Sequence, residues 1–312
     1  MTEETPRPRP APRGDLHTQF AVLPDPVTLF ARRADRFAAR AEGHELAPYL
    51  RFMAGIAQAQ AALLPTLPPL APVTAVTAEQ AARAAEHAAR AAEHGMPPID
   101  RVRLADDPAL TETISRFLQI VVAIPMPDPA AAALARLRAD PAAQRQRLAD
   151  ALEDAVAADA IAEHVFIAAA LQLHAARLAA LLQADLLQPV GTGVCPACGG
   201  APVACVLVDR PGAHNARYCV CATCATQWNA VRVTCVLCGA TEGIAYHHIE
   251  GSDDGVAAET CNACQGYVKL LSQAEHPELD PMADDVASLG LDLLLQDAGW
   301  RRGAVNPFLT GY

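Results

Sequence analysis

Eight of the ten cysteines in this 312-residue chain fall into four Cys-x-x-Cys pairs, at 195/198, 221/224, 235/238 and 261/264. The inner gaps are 22, 10 and 22 residues, so one spacing occurs twice. All ten cysteines lie between Cys195 and Cys264. Disulfide scaffolds spread their cysteines through a short secreted chain, whereas this local clustering points to cytosolic metal binding. A Cys-x-x-Cys turn aims two sulfurs at one centre while its backbone N–H groups donate to the thiolates. Two such knuckles complete a tetrahedron. Gly199 and Gly239 directly follow the second cysteine of a pair, where left-handed backbone is often required. The expected ligands are Cys195, Cys198, Cys221, Cys224, Cys235, Cys238, Cys261 and Cys264, for two metal ions per chain. Four sulfurs suit zinc or iron, and Cys-Pro-Ala-Cys-Gly at 195–199 fits rubredoxin-like and zinc-ribbon sites alike. Equal spacing favours sequential pairing of the knuckles, and an interleaved arrangement stays open. Either way the protein fills both sites, so Lewis-acid catalysis is disfavoured.

Before the cysteines the pattern is helical. Much of the apolar content is alanine, and only 14 residues are aromatic. Asp25-Pro26 supplies a cap and a first-turn proline for a helix to about Glu42. A second helix covers Glu45–Leu64, and Pro65–Pro72 makes an extended connector. Thr77 with Gln80 forms a capping box for a helix ended by Gly95. Further helices are predicted over Ala109–Ile124, from Asp140-Pro141, and over Asp159–Leu187. The last has Ile167, Leu171, Leu178 and Leu181 as its apolar stripe, with His174 among them as a core histidine. At Pro189-Val190-Gly191 the composition turns Gly- and Cys-rich, with strand-like runs at Ala204–Val208 and Ala230–Thr234. A helix after Asp280-Pro281 places Val286, Leu289, Leu293 and Leu294 on one packing side. The expected fold is α+β, mainly α, in three parts. A disordered Pro/Arg-rich tail covers 1–20 and a helical domain 21–190. A tandem four-cysteine metal-binding domain with a packing C-terminal helix covers 191–312.

Charge narrows the partners. The formal net charge is −11, and residues 191–275 hold four basic against seven acidic side chains before any thiolate is counted. Ribbons that bind nucleic acid need a basic face, so no nucleic-acid partner is expected. No apolar run reaches the roughly 18–20 residues of a membrane span. No apolar stretch follows the N-terminal arginines, so a secretory signal is not expected. No Walker loop, Rossmann fingerprint, nucleophile elbow or His-Glu-x-x-His occurs, and the chain reads as a non-enzyme. Cys219 is a candidate reactive thiol, and Cys205 reads as a small buried hydrophobe. His247, His248 and Glu250 read as structural or partner-contact residues, because eight cysteines already close two sites.

Several motifs share one resemblance. They are Cys-Pro-Ala-Cys-Gly at 195–199, Arg217-Tyr218, Trp228 with Val231-Arg232-Val233, Ala258-Glu259-Thr260-Cys261 and Tyr267-Val268-Lys269. Ala283-Asp284-Asp285, Ala287-Ser288-Leu289 and Asn306-Pro307-Phe308-Leu309 continue the set. Arg32-Arg33-Ala34, Tyr49-Leu50-Arg51-Phe52, Ala57-Gln58-Ala59-Gln60 and Pro97-Pro98-Ile99-Asp100 extend it into the helices. Together they resemble the formate dehydrogenase accessory protein family, FdhE type, over nearly the whole chain beyond residue 20. One departure is Gln227, where an acidic residue is usual. The resemblance implies a cytoplasmic factor that acts on the formate dehydrogenase catalytic subunit during maturation, with rubredoxin-like iron in the C-terminal part. Arg217, Tyr218, Trp228 and Arg232 flank the knuckles and are the candidate partner contacts, with packing against the sites an equal reading for Tyr218 and Trp228. Self-association stays open. The alternative function is a rubredoxin-like redox protein or electron carrier acting as a checkpoint. Iron permits that role and zinc forbids it. A zinc-ribbon nucleic-acid binder comes third.

Overall fold

Four helices begin directly after the aspartate of an Asp-Pro pair, and the computed structural model, which describes residues 18–70, 95–252 and 255–310, forms each of these caps. Asp25, Asp107, Asp140 and Asp280 accept from backbone N–H groups of the first turn. Proline follows each, where its missing N–H costs nothing. In chain order, β1 (Ala21–Val22) precedes α1 (Pro26–Arg40) and α2 (Ala47–Leu63). Then come α3 (Arg101–Leu104), α4 (Pro108–Ile120), α5 (Asp128–Ala139), α6 (Pro141–Leu152) and α7 (Ile161–Ala179). The strands β2 (Pro202–Arg210), β3 (Ala213–Cys221), β4 (Gln227–Asn229), β5 (Ile244–His247), β6 (Val256–Cys261) and β7 (Gly266–Ser272) follow. Helices α8 (Pro281–Ala287) and α9 (Leu289–Asp297) and the short β8 (Arg301–Arg302) complete the described part.

Helix α7 is the axis of the helical part. It is buried over most of its circumference, from His164 to Ala176, so the one-sided stripe expected there is corrected. A helix that is apolar all round is a core helix, and α2, α4, α5 and α6 surround this one. It also ends at Ala179, short of Leu187. Leu178 is half-buried and Leu181 exposed, because the chain leaves through a turn at Ala184–Leu186 beside β1.

The strands form a single sheet in the order β1-β4-β3-β2-β7-β6-β5, with β8 on β7. Two antiparallel hairpins, β2–β3 and β6–β7, are fused by a parallel pairing of β2 with β7, Cys205 opposite Leu270. Residues 21 and 22, expected in the helical part, instead edge this sheet, Ala21 opposite Trp228. The strand expected over Ala230–Thr234 is a turn. The Arg217 guanidinium takes the carbonyls of Val231 and Thr234, at 3.3 and 3.0 Å, away from any ladder. The single C-terminal helix is two. Ser288 donates to the Asp284 carbonyl at 2.7 Å, and the break there resets the helical phase. Leu291, Asp292 and Leu295 then face inward, while Leu293 and Leu294 are exposed. The capping box at Thr77 and Gln80, and nearly all of the N-terminal tail, lie outside the described residues.

The two parts are clamped by charge. From α1, Arg33 pairs with Asp280 at 3.3 Å and Arg36 with the fully buried Asp284 at 2.8 Å. Tyr49 of α2 donates to the Phe308 carbonyl at 2.6 Å. The chain's sole lysine, Lys269 on β7, is buried with Asp285, Asp292 and Arg302. These pairs account for several motifs that look unremarkable in the sequence.

Candidate metal centres

Each knuckle is a tight turn closed by its own backbone. Gly199 N–H donates to the Cys195 carbonyl at 2.9 Å, and Gly239 N–H to that of Cys235 at 2.8 Å. The residue after the second cysteine is left-handed in all four knuckles: Gly199 at φ 74°, Ala225 at 59°, Gly239 at 81° and Gln265 at 54°. Glycine marks only the first and third of these in the sequence. The equivalence of the other two emerges from the backbone.

The knuckles meet in sequence. Cys195, Cys198, Cys221 and Cys224 form one group, and Cys235, Cys238, Cys261 and Cys264 the other, with the sulfurs of each group within 4.8 Å of one another. The interleaved arrangement is excluded by this grouping. Sulfur separations are 3.6 Å for 195–224, 3.5 Å for 198–221, 3.8 Å for 235–264 and 3.7 Å for 238–261. A tetrahedron with metal–sulfur bonds of about 2.3 Å has edges of about 3.8 Å. A disulfide needs about 2.05 Å. The spacing therefore fits four thiolates around one ion and no bond between them.

The electrostatics point the same way. Burial pushes the Cys195 thiol well up, and hydrogen bonds with its three sulfur neighbours add to this. At Cys261 burial acts upward, yet the Cys264 and Ala263 N–H groups and the neighbouring thiols bring it down to about 7. Four thiols in contact cannot all ionise unless a cation balances them, and a bound divalent ion deprotonates its thiol ligands outright. The groups are suited to hold two metal ions.

Their surroundings differ. All four sulfurs of the first group are buried. Ile99 N–H donates to the Ala197 carbonyl at 2.9 Å, and Gln172 of α7 donates to the Ala222 carbonyl at 2.7 Å. Pro97 lies against Gly199, 3.2 Å from where a Cβ would stand. In the second group Cys238 is exposed and Cys264 half-exposed.

Of the expected partner contacts, the structure leaves only Arg232 on the surface. Arg217, Tyr218 and Trp228 are 1%, 0% and 6% exposed and serve packing, which corrects the assignment of Arg217 and favours the packing reading of Tyr218 and Trp228. Tyr218 donates to the Gln19 carbonyl at 2.7 Å, and Trp228 carries the pairing of β4 with β1. Arg217 spans the two ribbons, 2.8 Å from Glu259 on β6. Burial works against both charges, and at Glu259 it outweighs Arg217, so that carboxyl sits above the usual range. The two residues are 42 positions apart, and no local pattern announces the pair.

Cys219 stands opposite Cys205 across β2 and β3, with sulfurs 3.6 Å apart and Arg217 3.5 Å from the Cys205 sulfur. The hydrogen bond to Cys205, together with burial, pushes the Cys219 thiol well up. The reactive thiol expected at Cys219 is instead a fully buried one, while Cys205 is buried as expected. His174 is fully buried and bonds Asp107 at 3.0 Å, a core histidine. His247 bonds the Thr260 hydroxyl at 3.1 Å and joins no metal-competent group among the described residues.

Comparison with known proteins adds the lineage. Three family models match in succession: "FdhE, N-terminal" over residues 18–192, "FdhE, central domain" over 194–232, and "FdhE, C-terminal domain" over 233–309. The chain belongs to the FdhE family. A Protein FdhE homolog of Rhizobium meliloti (strain 1021) is 43% identical over 296 residues, covering 94% of each chain. Protein FdhE of Escherichia coli (strain K12) is 32% identical over 294 residues, 92% of this chain and 90% of that one. The crystal structure of the FdhE protein from Pseudomonas aeruginosa superposes with a TM-score of 0.80 at 31% identity, covering 94% of this chain and 99% of that one. The boundary between the central and C-terminal FdhE models falls at 232/233, between the two tetracysteine groups. Among the described residues, no helix is long and apolar enough to cross a membrane.

Proposed function

We propose that this FdhE protein is a cytoplasmic accessory factor for formate dehydrogenase maturation that binds the enzyme's catalytic subunit, without catalysis of its own. Family membership along nearly the whole chain carries this reading. Two tetracysteine centres filled by protein ligands support it, since such a site leaves no position for substrate. We take residues 21–190 as the helical unit and 191–312 as the metal-binding unit, with both joined in the client-binding surface. Arg232, exposed between the exposed Val231 and Val233, is the contact residue retained from the sequence. Deleting the gene should abolish formate dehydrogenase activity, and a plasmid copy should restore it. The tagged chain should capture the catalytic subunit, and Arg232→Glu should weaken that capture with the fold intact by circular dichroism. Unchanged enzyme activity in the deletion strain sinks the proposal.

Iron is the metal we assign to both centres, on the family resemblance and the four-sulfur donor set. A second reading, a rubredoxin-like redox checkpoint, draws on the exposure of Cys238, which would let an electron donor approach the second centre. Anaerobically purified protein should carry two irons, with thiolate-to-iron absorption that bleaches reversibly on reduction. If a zinc-filled chain still matures the enzyme, redox cycling is dispensable.

A further inference from the structure

The two tetracysteine groups share donors and spacing, yet their walls differ in kind. The first is sealed by the helical part. Ile99 hydrogen-bonds Ala197 inside the first knuckle, and Gln172 bonds Ala222 inside the second. Arg101 stands over Gly200, its Nη1 3.1 Å from where a Cβ would be. Cys195, Cys198, Cys221 and Cys224 are each at most 1% exposed. Among the described residues, the second group is covered on one side only. There Leu237 packs over Gly303 and Gly266, and Arg301 donates to the Cys264 carbonyl at 3.0 Å. On its other side Cys238 is exposed as a residue. Among the described residues, no element closes that face.

We propose that the second group is the chain's metal-exchange site, open to an incoming small-molecule thiol at Cys238, while the first is kinetically locked against the helical part. This rests on reading the two groups as metal sites. Exchange of a tetrahedral thiolate site starts when an external sulfur approaches and one ligand leaves. Cys238 leaves as a thiolate and takes up the proton that the incoming thiol releases, and the incoming sulfur occupies its place, so charge and protons balance. Cys264, half-exposed, is the next ligand within reach. At the first group the same approach requires α7 and the 97–101 segment to move away. Outer-shell partners of this kind change metal affinity by about 10–100-fold, and a comparable spread in release rate is expected here.

The experiment uses the full chain loaded with two zinc ions, challenged with an excess of a colorimetric zinc chelator and with increasing glutathione. Release should occur in two phases of one zinc each, separated by about tenfold or more. Only the fast phase should accelerate with glutathione. Timed alkylation with N-ethylmaleimide and peptide mapping on the unmutated protein should label Cys238 first, and Cys195, Cys198, Cys221 and Cys224 last. Cys238→Ser should remove or further speed the fast phase while the slow phase keeps its rate. Release of both ions at one rate overturns the proposal, as does alkylation of the first group as fast as Cys238. A fast phase indifferent to glutathione also overturns it. A chain that keeps no zinc after gel filtration overturns the metal reading itself, an outcome distinct from single-rate release.

Discussion

Left-handed backbone at one position per knuckle makes a reciprocal pair of substitutions informative. Gly239 has φ 81° and no neighbour closer than 3.9 Å to a built Cβ, so Gly239→Ala meets backbone strain rather than a clash. It should cost about 1–2 kcal/mol in denaturant unfolding of the zinc-loaded chain. Ala225, at φ 59°, already bears that strain. Ala225→Gly should therefore gain up to about 1 kcal/mol, the relief less the entropy of a freer unfolded chain. His164 offers a second test. Burial drives its imidazole from 6.5 down to about 4, with Asp150 opposing and Arg147 assisting. Below about pH 6.5 the unfolded chain takes up a proton that the folded chain refuses until about pH 4, so stability falls as pH drops through that window. His164→Gln should flatten this part of the dependence of the urea midpoint on pH. An unchanged slope would mean that the imidazole is solvated in the native state.

At the level of elements, the ribbons communicate through the pair formed by Arg217 of β3 and Glu259 of β6, both almost fully buried. Removing one partner leaves an uncompensated charge in the sheet. Arg217→Met should cost about 3–5 kcal/mol, whereas Arg217→Met combined with Glu259→Leu should recover most of it, since an apolar pair of similar volume often replaces a buried ion pair without loss. A double-mutant cycle by urea denaturation checks both halves. Equal destabilisation by the single and double variants would show that packing, not charge, holds this junction. The same strands mark what a one-dimensional reading can reach. The knuckles are local, four residues long and repeated, so the eight cysteines are legible from spacing, which favours the sequential pairing without fixing it. The parallel seam between β2 and β7 and the β1 edge join segments distant in the chain, and nothing in Ala21-Val22 distinguishes a strand from a linker. Val231-Arg232-Val233 looks β-like by composition, yet Arg217 bends it into a turn. Leu293 and Leu294 look like core until Ser288 shifts the phase beneath them.

For the molecule as a whole, the metals should govern one half more than the other. The helical part has its own apolar axis in α7, whereas the sheet carries the two tetracysteine groups suited to hold metal. Chelation of both ions should abolish hydrogen-exchange protection across residues 195–272 while 161–179 stays protected, as measured by mass spectrometry. Uniform loss across both would mean that the arginine clamp from α1 makes the parts one cooperative unit. Much of the organisation into helices and then ribbons is readable from composition. The clamp itself is not, because Arg33 and Arg36 lie on an ordinary amphipathic helix and find Asp280 and Asp284 only after the chain has returned. That return has a further consequence for the edge strand β1. On the ribosome, Ala21 and Val22 emerge early and wait through synthesis of every helix up to α7 before Gln227 and Trp228 exist to pair with them. The first strand made must wait for the fourth, and this edge of the sheet can be finished only after residue 229 has been synthesised.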